Sequence, residues 1–129
     1  MRIAFEAKCM AYAVDNISKE TARILAVAAT AGADNTLSPS EAFNQRRSFY
    51  SDIYHHANRP RMRRIIMQLR DNVDRYHLLS NRAHAHRAHN ELADAIADRN
   101  PSRATAVLVE HICESRDDLI EELERRQHV

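Results

Sequence analysis

The chain has 129 residues, enough for one domain with a real buried core. Its single glycine and three prolines leave little with which to make the tight turns that strands need, which argues against a β fold. Nineteen basic and eighteen acidic residues nearly cancel to a formal charge of +1, which argues against a dedicated nucleic-acid binder.

Helix signals divide the chain in order. A first helix is expected over 2–14. Ser18 caps a second, over 18–32, that runs through Thr21, Ile24, Leu25 and Ala28. Ser38-Pro39-Ser40-Glu41 joins an N-cap serine, a first-turn proline and a glutamate three residues on, a capping box for a helix over 39–57. Pro60 opens the next, over 60–79, where Ile66, Leu69, Val73 and Tyr76 recur at helical spacing. The basic run at 59–64 reads first as a solvated helix face and only second as a phosphate site. A fifth helix over 81–98 carries Leu92, Ala93 and Ile96 on one stripe, and Asn100-Pro101 starts the last, over 101–127. Short connections predict an all-α antiparallel bundle of these six helices in a single domain spanning 1–129.

Cys9 and Cys113 lie far apart and outside any CxxC pair, so reduced cysteines are expected. Arg2, Glu6 and Lys8 break any signal peptide, and the longest apolar stretch, near 24–31, is too short to span a membrane. These features predict a soluble, cytoplasmic protein without a membrane partner.

Inward histidines are the first candidates for chemistry. His89 shares a stripe with Leu92, Ala93 and Ile96, and His111 shares one with Ala104, Val107 and Leu108. Each lies 11 residues from the turn at Asn100, which predicts matching heights on facing helices. Phe43, Arg46, Tyr50 and Ile53 form a third inward stripe, and a buried arginine there calls for an anion, either a core carboxylate or a ligand. The remaining histidines, His84 and His86 and the adjacent His55 and His56, do not share core faces and read as surface or interface residues. No HExxH, GxSxG, GxGxxG or Walker-type motif is present, so no enzyme class is indicated.

Motifs along the whole chain add a family likeness. Arg2-Ile3-Ala4-Phe5-Glu6, Phe49-Tyr50, Arg59-Pro60-Arg61-Met62, Leu69-Arg70, Arg75-Tyr76, His89 with Ala95-Ile96, and Glu110-His111-Ile112 occur in the order and spacing of one family. The chain resembles the C-terminal effector-binding (FCD) domain of the FadR branch of GntR-type bacterial transcription regulators. That resemblance implies a dimerising antiparallel bundle of six or seven helices whose central cavity binds a small organic acid. In the family this is often done through a divalent metal held by one Asp and three His. It also implies an attached N-terminal winged helix-turn-helix domain, through which alone DNA would be bound. That domain is not in this sequence, which is therefore either a piece of a longer regulator or a free-standing module.

Two departures shape the expected site. His89 and His111 fall on two of the family's histidine positions, but its Asp-x-x-x-His aligns with Arg46 and Tyr50. Two metal ligands are thus replaced, one of them by a cation. The leading expectation is a sensor of a small anion that uses Arg46, Tyr50, His89 and His111 and needs no metal. A second keeps Zn or Ni on His89 and His111 with a substitute ligand from Asp52, His55 or His56. A third keeps only homodimerisation.

Overall fold

The computed structural model describes residues 2–31, 38–80 and 86–127, with side chains described for 3–28, 38, 40–73 and 90–127. It consists of α1 (Arg2–Asn16), α2 (Lys19–Ala31), α3 (Pro39–His55), α4 (Pro60–Ser80), α5 (His86–Ala97) and α6 (Pro101–Gln127), with no strand among the described residues. The all-α expectation and the six-helix count hold. Helix ends agree with the sequence to within two residues, except at the start of α5, where 81–85 lie outside the described residues.

The caps show why these boundaries are sharp. The Thr21 amide donates to Ser18 Oγ at 3.1 Å, and the Arg103 amide to Asn100 Oδ1 at 3.1 Å. At α3 the Glu41 amide donates to Ser38 Oγ at 3.2 Å, while the Ser38 hydroxyl donates to the Glu41 carboxylate at 3.0 Å. The capping box therefore closes through the hydroxyl rather than through the Ser38 amide. The α5 C-terminus is a Schellman turn, in which the Asn100 amide reaches Ala95 O and the Arg99 amide reaches Ile96 O. Arg99 sits there at φ 51°, and Asn58 after α3 at φ 56°, left-handed conformations taken without glycine.

Packing between the helices follows only part of the chain order. Two consecutive pairs form hairpins, α3 on α4 and α5 on α6. The other large contacts join distant segments: α2 lies on α5 and α1 on α6. With α2 also touching α3, and α1 touching both α3 and α4, the helices close into a ring in which α1 is the hub for α3, α4 and α6. Chain order therefore does not account for the main contacts of α1 and α2. The α2 stripe of Ala22 and Leu25 is buried by other helices instead.

Polar contacts fix the α3–α4 hairpin. Arg47 holds Asp71 through two bonds, Nε to Oδ1 at 2.9 Å and Nη2 to Oδ2 at 3.2 Å. Arg63 donates to Ser51 O at 3.1 Å and to Ser51 Oγ at 2.7 Å. Asn16 ties α1 to the end of α3 by donating to His56 O at 3.1 Å. Among the described residues the core is otherwise apolar, built from Met10, Val14, Ile53, Ile66, Leu92, Ile96 and Leu108, with two charged exceptions, Glu6 and Arg70.

Candidate functional site

Those two exceptions mark the site. Glu6 lies in the second turn of α1 and Arg70 in the middle of α4, and their side chains are 0% and 4% exposed. Arg70 Nε donates to Glu6 Oε1 across the α1–α4 contact. On the α3 side the guanidinium lies over the Tyr50 ring, with Cζ 3.5 Å from the ring centroid, a close and desolvated cation–π contact. Tyr50 in turn stacks on Tyr54, with centroids 6.0 Å apart, and meets Phe49 edge-on at 5.0 Å. The cluster therefore sits where α1, α3 and α4 meet.

Electrostatics inside the cluster follow from burial. Loss of water pushes the Tyr50 phenol up from its usual range; the Arg70 charge works against this, Glu6 adds to it, and Arg46 opposes it more weakly. The Tyr54 phenol is raised further by the same loss of water, with Glu6 reinforcing the effect. Tyr54 Oη makes no hydrogen bond of ordinary geometry among the described residues, although the Arg70 charge lies close enough to favour its ionised form. Both phenols are thus held neutral. Two residues after Tyr54, just past the end of α3, His56 is lowered by partial burial and by the neighbouring His55, whose ring centroid is 5.7 Å away.

The sequence-derived residues divide between this cluster and other parts of the bundle. The stripe of Phe43, Arg46, Tyr50 and Ile53 does face inward: Tyr50 and Ile53 are fully buried, and Phe43 and Arg46 half-buried. Arg46 is close enough to act on Tyr50 electrostatically. His111 is half-buried on α6, with its Nδ1 shielded from solvent, next to the core residues Leu108 and Ile112. The His89 side chain lies outside the described side chains, as does that of His86, and His84 lies outside the described residues altogether. The α5–α6 hairpin expected around Asn100 is present.

Sequence reasoning looked to Arg46 for the buried cation. The fully buried cation paired with a core carboxylate is instead Arg70, and its partner is Glu6. Both stood in the sequence as Leu69-Arg70 and Phe5-Glu6. The signal was their phase: Glu6 leads Cys9, Met10 and Ala13 on the buried face of α1, and Arg70 lies four after Ile66 and three after Met67.

The side chains around Tyr50 do not suit a divalent cation. One guanidinium lies on its ring and a second is near enough to feel, so a metal ion would meet two fixed positive charges. Asp52 and His55 are exposed, and no group of three His, Cys, Asp or Glu is placed to hold a metal among the described residues.

A groove of about 340 Å³ runs between α2 and α3, lined by Ala28, Asn44, Gln45, Ser48, Phe49 and Asp52. Phe49, which meets Tyr50 edge-on, lines this groove, whereas Arg46, Arg70 and His111 do not. Ile24 and Val27 on the neighbouring face of α2 are more than 60% exposed. No described helix is long and apolar enough to cross a membrane.

A family model described as the FCD domain matches residues 1–114, nearly nine-tenths of the chain. Neither the curated proteins nor the solved structures compared with the chain gave a match.

Proposed function

Because the chain belongs to the FCD domain family, the effector-binding regulatory domains of GntR-type transcription regulators, we propose that it senses a small organic acid inside its helical bundle and does so without a metal. The observation that carries this reading is the concentration of positive charge at one buried aromatic site. Arg70 lies on the Tyr50 ring, and Arg46 acts on the same ring from α3. A guanidinium offers forked donors matched to a carboxylate and keeps its charge at every physiological pH, so it can do what a bound cation would otherwise do. On this reading Tyr50 contributes a neutral phenol, and His89 and His111 are assigned as further hydrogen-bonding groups for the acid. The FadR branch, a homodimer, a cytoplasmic location and a separate winged-helix domain for DNA contact belong to the same proposal.

The test is a thermal-shift and calorimetric screen of mono-, di- and hydroxycarboxylates in EDTA, on untagged protein whose metal content has been measured. At least one acid should raise the melting temperature saturably, and Arg46→Ala should weaken its binding at least tenfold. A full panel without any shift, or a response that appears only with added Zn²⁺ or Ni²⁺, overturns the reading. A second reading is favoured by one observation: Glu6, Tyr50, Tyr54 and Arg70 together fill the interior where α1, α3 and α4 meet. On that reading only dimerisation remains, with the exposed Ile24 and Val27 of α2 as candidate contacts. Sedimentation of Val27→Glu against the parent protein tests it.

A further inference from the structure

The filled centre has a chemistry of its own. A buried arginine stacked on one tyrosine, with a second tyrosine behind it, is the kind of pocket that takes up a carboxylate. The carboxylate already on Arg70 belongs to the chain itself, delivered by Glu6 from α1 and fully shielded from solvent. We infer that the Arg70–Tyr50–Tyr54 cluster is a carboxylate-binding site whose resident ligand is Glu6, so that an acid of formate or acetate size binds by taking the place of the Glu6 side chain. This deepens the acid-sensing function proposed above and rests on it for its biological meaning, although the site itself can be tested without it.

Three features point the same way. Glu6 and Arg70 are 64 residues apart and belong to different helices, so their contact can be exchanged without breaking any helix. Arg46 acts on the Tyr50 phenol as well, adding a second positive charge near the ring that Arg70 covers and so offsetting the negative charge of Glu6 for an incoming anion. The helix that carries Glu6 also packs on α3 and α6, so moving that side chain acts on the hub of the bundle. Acid binding and α1 packing are thereby coupled through one ion pair.

The test uses the full 129-residue protein with Glu6→Ala and sodium formate or acetate as probes, against sodium chloride at equal ionic strength. Glu6→Ala removes the resident carboxylate and leaves space beside Arg70. Acetate should restore part of its lost thermal stability, saturably at millimolar concentrations, and should act on the parent protein only at concentrations at least tenfold higher, because there it must displace Glu6. The double variant Glu6→Ala with Arg70→Met should show no acetate response. Glu6→Gln, which keeps the shape and removes the charge, decides the matter if Glu6→Ala does not fold: it should bind acetate at least tenfold more tightly than the parent protein. Equal acetate affinity in Glu6→Gln and parent, or a folded Glu6→Ala blind to both acids, overturns the inference. So does a response that survives loss of Arg70. If the parent protein responds to no acid while Glu6→Ala binds acetate, the site stands and the sensing function falls. If the parent binds an acid and Glu6→Gln changes nothing, the reverse holds.

Discussion

Replacing Arg70 by methionine should be among the most damaging single changes to this bundle. The variant keeps a fully buried Glu6 carboxylate and takes away the guanidinium that compensates it. Breaking one side of a buried ion pair costs about 3–5 kcal/mol, because the surviving charge is stranded in low dielectric. The lost contact with the Tyr50 ring falls within that range. At about 2.1 cal/mol/K of unfolding entropy per residue, 129 residues give roughly 0.27 kcal/mol/K. The melting temperature should therefore fall by about 11–18 °C. Replacing both members, Glu6→Met with Arg70→Met, leaves no charge behind and fills similar volume, so it should lie within about 2 kcal/mol of the parent. Thermal and urea unfolding followed by circular dichroism at pH 7 give all four corners of the cycle. A single Arg70→Met costing less than about 1 kcal/mol, or a double variant as unstable as the single, would refute the argument that the pair acts as a buried, mutually compensating unit.

Three further outcomes follow from local geometry. Arg99 occupies the C′ position of a Schellman turn at φ 51°, so Arg99→Gly should stabilise by up to about 1 kcal/mol, read as a higher urea midpoint with unchanged slope. Ser38→Ala removes the acceptor for the Glu41 amide and should cost about 1 kcal/mol, while Ser38→Asp should restore most of it. Alkaline pH should destabilise the fold: burial pushes the Cys9 thiol from 9.0 to about 11 and raises the phenols of Tyr50 and Tyr54, so the unfolded chain loses these protons first. The Cys9 contribution is complete below pH 9 and is lost as pH climbs through 9 to about 11, while that of the phenols is lost only as pH rises above 10, so Tyr54→Phe should flatten the decline beyond pH 10 in a series of urea midpoints.

What the sequence made legible is what is decided locally. Ser18, Ser38 and Asn100 each satisfy an amide three residues ahead, so a reader of the sequence can place the start of α2, α3 and α6 without knowing their neighbours. The turn at Asn100 is of the same kind, and so is the inward stripe of Phe43, Arg46, Tyr50 and Ile53. Which helices touch is decided by the sum of many apolar contacts between distant segments, and no single residue announces it. The pairing of α2 with α5, and of α1 with α6, could not be read from short connections, because short connections constrain only consecutive helices.

The same distinction explains the site. Helical phase identified Arg46 and Tyr50 as inward and the need for an anion near a buried arginine, but phase gives a direction and not a partner. Tyr50 is central because it lies between Arg70 and Tyr54, two residues on different helices, and Arg70 is central because α1 delivers Glu6 to it. A buried ion pair adds little net stability compared with apolar residues of the same volume, yet it penalises every packing in which the charges fail to meet. Sliding α1 by one turn along α4 would move Glu6 about 5.4 Å from its place and strand both charges. The Glu6–Arg70 contact thus sets the register of α1 against α4. A ligand able to replace the Glu6 carboxylate on Arg70 would release that register at the helix that also supports α3 and α6.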